Sequence, residues 1–147
     1  MTEKTNLLNQ LLADSIVLQQ KLRHYHWRVT GPAFYRLHAL FEELYDRFAA
    51  WGDALAERHL MTGGTPVAAL ADALATTTLQ EERDVPAART MVRNVMQDLD
   101  RFRQEVNRAI ADAETRGDRG TVNLLDGIAD ALDKDLWMLR AYLQPEA

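Results

Sequence analysis

Residues 34–64 read FYRLHALFEELYDRFAAWGDALAERHLMTGG, and this stretch decides the fold. Leu37, Phe41, Leu44, Phe48 and Leu55 recur at three-, four- or seven-residue steps, the repeat of a helix with one apolar face. Gly63-Gly64 ends it. The same reading extends on both sides. Upstream, Leu8, Leu11, Leu12, Ser15, Leu18, Leu22 and Tyr25 predict a helix that ends near Val29, ahead of Gly31-Pro32. Downstream, Met91, Val95, Leu99, Phe102, Val106 and Ile110 form a third stripe, with Asp84 as the expected cap and Pro86 beside it. A fourth helix is expected to begin between Asp118 and Thr121 and to carry Leu125, Ile128, Leu132, Leu136, Leu139 and Leu143. No segment alternates with period two, so no strand is expected.

The connection from Thr65 to Arg83 is too short for a full partner helix, but Val67, Leu70 and Leu74 are spaced for a small one. Four helices of about 25 residues, with one long link between the second and third, describe an all-α, ferritin-like four-helix bundle. The 147 residues suit one domain over 1–147. The composition, 47% hydrophobic and 27% charged, is that of an ordinary soluble protein, and no apolar run is long enough to span a membrane. Cysteine is absent, which excludes disulfides, thiolate metal sites and cysteine nucleophiles. With no basic and apolar leader at the start, cytoplasmic residence is the default expectation.

The net charge of −5 argues against a broad nucleic-acid face. Lys4 stands beside Glu3 in the stretch from Met1 to Asn6, and Gln144-Pro145-Glu146-Ala147 carries no positive charge. Neither end reads as a DNA-gripping arm.

Candidate chemistry lies on the second helix. His38 and Glu42 are four residues apart, as are Asp53 and Glu57, so each pair shares a helix face. Imidazole with carboxylate suits iron, zinc or manganese, and open carboxylate-rich sites favour iron. Charged pairs on a solvated face have the same spacing, so neither pair is decisive alone. His38 and Asp53 are 15 residues apart. At ~1.5 Å per residue that is roughly 22 Å along one helix, too far to share an ion. Glu42 and Asp53 are close to three whole turns apart and point the same way. Two copies packed antiparallel about a two-fold axis would bring the first pair of each chain to the second pair of the other. A site inside the bundle would call for Glu-x-x-His motifs, and no glutamate here is followed by histidine three residues later.

The block from His26-Trp27-Arg28-Val29-Thr30-Gly31-Pro32 to His38 resembles the signature of the Dps family, the DNA-binding proteins from starved cells. So do Phe41-Glu42, Asp53-Ala54-Leu55-Ala56-Glu57-Arg58, Gly63-Gly64-Thr65-Pro66 and the stretch from Leu132 to Leu139. The resemblance covers essentially the whole chain. It implies a hollow dodecamer built on two-fold dimers, which oxidises ferrous iron, preferably with hydrogen peroxide, and stores ferric mineral. It further implies that His26, His38 and Glu42 of one subunit join Asp53 and Glu57 of its mate. The family more often has aspartate where Glu42 stands. Trp27 reads either as an oxidisable neighbour or as interface packing; Trp51 and Trp137 are expected to pack. His24 and His59 are expected to face away from the site. By the same resemblance Glu114, Asp118, Asp126 and Asp130 are candidates for an iron pore in which Asn123 replaces an acid.

Two other functions remain open on sequence. One is a nucleoid protein that protects DNA by binding it, which the acidic balance disfavours. The other is a helical assembly protein whose sites are vestigial or hold zinc.

Overall fold

A computed structural model describes residues 6–145, in which five helices follow one another: α1 (Leu7–Arg28), α2 (Phe34–Met61), α3 (Leu70–Thr76), α4 (Ala88–Thr115) and α5 (Arg119–Leu143). The expected stripes become the core. Leu11, Leu18 and Leu22 of α1 meet Phe41 and Phe48 of α2, Leu99 and Phe102 of α4, and Leu125 and Leu132 of α5 in one apolar cluster. Helix α1 packs chiefly on α2, and α4 on α5. Phe48 and Phe102 meet edge to face at 5.2 Å, which joins the two pairs. Such a contact adds about 1 kcal/mol beyond the buried area. Among the described residues, no helix is long and apolar enough to cross a membrane.

Three helix ends carry specific chemistry. Asn6 caps α1 by accepting the Asn9 N–H, and Asp118 caps α5 by accepting that of Thr121. The turn between α1 and α2 is made by Gly31, whose φ of 105° suits glycine. This tight link lays the start of α2 against the end of α1.

Two expectations are corrected. Asp84 does not cap α4: the capping position is Ala87, whose side chain offers no acceptor, and the helix starts at Ala88. Pro86 pushes the residue before it into extended backbone, so Asp84 sits too far upstream to reach the first N–H groups. The small helix of the crossover forms as α3, but Leu70 and Leu74 are exposed and Val67 precedes it. Its buried residue is Ala73.

The crossover is tied down instead by polar groups. Asp14 of α1, fully buried, accepts hydrogen bonds from the Thr77 hydroxyl at 2.6 Å, the Thr78 N–H at 2.7 Å and the Thr78 hydroxyl at 2.8 Å. Lys21 donates to the Gln80 carbonyl and pairs with Asp98 of α4 at 2.8 Å. Tyr25 donates to Glu82 and accepts from Asn94.

Candidate metal centre

His26 stands in the last turn of α1 and His38 in the second turn of α2, and the Gly31 turn brings them face to face. Their rings stack with centroids 3.7 Å apart and planes 12° apart. Each Nδ1 lies 2.7 Å from the other residue's backbone carbonyl oxygen, His26 Nδ1 on His38 O and His38 Nδ1 on His26 O. A carbonyl only accepts, so both Nδ1 atoms carry the proton and donate it. In the neutral tautomer that this donation selects, the lone pair sits on Nε2, the arrangement that readies imidazole for a metal. Phe34 stacks on His38 at 5.0 Å, and Tyr45 meets His26 edge-on at 5.4 Å. The two imidazoles are thus held between neighbouring aromatic rings.

Glu42 is exposed one turn beyond His38, and its Oε1 accepts from the Tyr45 hydroxyl at 3.4 Å. The Arg23 guanidinium lies over the Tyr45 ring at 4.3 Å. Burial, with the nearby Glu42 and Asp46 charges, pushes the Tyr45 phenol up, so it stays a donor at neutral pH. Asp53 and Glu57 are exposed on the same unbroken helix. The helix therefore separates them from His38 along its axis, and one chain gathers no group of three or more metal-binding side chains among the described residues.

The other histidines lie elsewhere. His24 Nδ1 is 3.2 Å from the Glu82 carbonyl oxygen of the crossover. His59 is buried against the turn at Gly64, and that burial lowers its pKa despite a backbone hydrogen bond with Thr65. Glu114, Asp118, Asn123 and Asp126 line one surface cavity of about 530 Å³ with Gly117, Arg119 and Val122; Asp130 is not in its wall. Asp118 is already engaged with Arg58 and Thr121. Trp27 is 61% exposed. Trp51 packs on Phe48, whereas Trp137 stays outside the core: it is 60% exposed and lines an α2–α5 groove. Leu132, Leu136 and Leu139 of the same helix fill the core, and Trp137 lies off that stripe.

The ferritin-like domain family matches residues 5–146. DNA protection during starvation protein 2 of Bacillus anthracis is 41% identical over 137 residues, covering 93% of this chain and 94% of that protein. The crystal structure of Dps from Staphylococcus aureus superposes with a TM-score of 0.94 at 36% identity, over 97% of this chain and 95% of that one. The chain belongs to the Dps family. A further Dps structure, from Vibrio cholerae, is described as a member of a broad superfamily of ferritin-like diiron-carboxylate proteins. It matches this Dps-family chain with a TM-score of 0.92 at 31% identity, over 95% of this chain and 88% of that one.

Sequence reasoning passed over Arg23, Phe34 and Tyr45, although each had a signal. Arg23 precedes His26 by one turn, Phe34 precedes His38 by one turn, and Tyr45 follows Glu42 by one turn. Helix neighbours of a candidate ligand are its first expected supports.

Proposed function

We propose that this Dps-family protein is a ferroxidase and iron store, whose metal centre is completed between two copies of the chain. The observation that carries the reading is the locked histidine pair: two stacked imidazoles, each with its Nδ1 on the other's backbone carbonyl, which leaves Nε2 as the nitrogen available to a metal. A packing histidine needs no such double constraint. The pair stands beside Glu42, while the matching acidic pair, Asp53 and Glu57, is exposed further along the same helix. Antiparallel pairing of α2 with its copy would unite them in two equivalent sites. A dodecameric cage built from such dimers is the assembly proposed, in the cytoplasm.

Ferrous iron is the substrate. Imidazole and carboxylate accept it, and after oxidation the harder ferric ion favours oxygen donors and departs toward mineral. Hydrogen peroxide is the proposed oxidant. Two ferrous ions give one electron each, and one peroxide takes both as its O–O bond breaks, so both oxygens end at the level of water. The paired transfer releases no hydroxyl radical. His26 and His38 hold the metal, Glu42 supplies the nearby carboxylate, and Asp53 and Glu57 of the mate complete the ligand set. Curated relatives are named for DNA protection. With a net charge of −5, removal of iron and peroxide explains protection better than direct phosphate gripping.

Size-fractionated protein loaded anaerobically with ferrous iron, then given peroxide or oxygen, reports particle size, iron capacity and oxidant choice together. The double variant His38→Ala/Asp53→Ala should keep the particle and lose fast oxidation. Unchanged peroxide-driven oxidation in that variant refutes the assignment.

A further inference from the structure

We infer that Tyr45 is a positioning residue for Glu42, held in place by Arg23, so that the glutamate presents a single oxygen to metal. The inference rests on the ferroxidase reading above and deepens it. Glu42 is exposed and makes no ion pair among the described residues. A glutamate has one more rotatable bond than an aspartate, so without support its carboxylate would sample many positions.

Tyr45 restricts that freedom through a long hydrogen bond. It lies one turn along α2, on the Glu42 face, and its O–H donates to Oε1 at 3.4 Å. The phenol is itself confined. Its ring is buried, with Arg23 above the face at 4.3 Å and the His26 ring against it at 5.4 Å and 80°. The guanidinium is attracted to the ring face and so helps to fix the ring where it stands. One side chain thus touches both a proposed ligand carboxylate and a proposed ligand imidazole. With Oε1 engaged by the phenol, Oε2 is the oxygen left to face the metal. The device suits a glutamate in particular, because a carboxylate shorter by one methylene would fall away from the hydroxyl.

Tyr45→Phe tests this, since it keeps the ring packing on Arg23 and His26 and removes only the donor. The assembled full-length protein is titrated with Co(II), which binds imidazole and carboxylate but is not oxidised by air on this timescale. Affinity comes from calorimetry and ligand geometry from the visible d–d bands. Tyr45→Phe should bind Co(II) roughly five- to tenfold more weakly, with shifted bands, as expected when a charged ligand loses its orienting hydrogen bond. In a Glu42→Ala background the same substitution should have no further effect. Unchanged affinity and bands in Tyr45→Phe overturn the inference, as does an equal loss in the Glu42→Ala background, which would mark a packing effect. His38→Ala separates the two levels of the reading. If it abolishes Co(II) binding while Tyr45→Phe is silent, only the positioning role falls; if it leaves binding unchanged, the metal centre falls and Tyr45's role with it.

Discussion

Asp118 joins the start of α5 to the end of α2, and two substitutions separate what its charge and its cap contribute. Its carboxylate accepts the Thr121 N–H at 3.2 Å, the Thr121 hydroxyl, and the Arg58 guanidinium at 2.6 Å. Arg58 also donates to the Thr121 hydroxyl oxygen at 2.9 Å. Led by the Thr121 hydroxyl, with Arg58 next among the lowering contacts, these hold the Asp118 carboxyl well below its ordinary 3.8, at about 2. At ~1.4 kcal/mol per pH unit, such a shift sets a ceiling of about 2.5 kcal/mol on the charge. The side chain is 14% exposed, and solvent screening leaves about 1.5 kcal/mol of that. The cap adds about 1 kcal/mol. Asparagine still caps, so Asp118→Asn should lose about 1.5 kcal/mol and Asp118→Ala about 2.5 kcal/mol near neutral pH. Urea unfolding at one fixed protein concentration measures both, since any self-association enters the apparent stability. The carboxyl is depressed, so its contribution is complete above the ordinary value of 3.8 and is lost as pH falls through about 2. The gap between wild type and Asp118→Asn should therefore stay level down to about pH 5 and close by about pH 2. A gap that persists undiminished in acid, or is already absent near neutrality, refutes the charge reasoning.

Substitutions at two further positions test packing away from the metal centre. At Gly64 an added Cβ would overlap the buried His59 ring, so Gly64→Ala should lower stability by about 1–3 kcal/mol, and an unchanged thermal midpoint would show that the turn yields freely. Asp14→Ala strips the acceptor from Thr77 and Thr78, so it should cost about 2–4 kcal/mol. It should also speed proteolysis within residues 77–84, and Asp14→Asn, which keeps one acceptor oxygen, should do so less; equal cleavage rates in all three would discount the tether.

The four long helices were legible because each repeats one apolar face over many turns, and burial then follows from the pattern. Leu37, Phe41, Leu44 and Phe48 could only face a core, and they do. The crossover was less legible because its few apolar residues mislead: Leu70 and Leu74 are exposed, and buried Asp14 holds the strap. A carboxylate in a helix looks like a surface residue until tertiary contacts supply its donors. The Asp84 cap failed for a local reason, since Pro86 delays the helix to Ala88.

Sequence alone determined the helical bundle, the absence of any thiol chemistry and the wide separation of His38 from Asp53, because these depend on periodicity, composition and helix rise. It also marked His38, Glu42, Asp53 and Glu57 as candidates through their spacing, and His26 through the family resemblance. Only the tertiary structure decided how His26 and His38 meet. Their ring stacking and exchanged Nδ1 contacts depend on the turn at Gly31, on Phe34 against His38 and Tyr45 against His26, and on Arg23 of α1 over the Tyr45 ring. Spacing along one helix specifies a face; the direction of a lone pair depends on what the other nitrogen touches, and that neighbour comes from another helix.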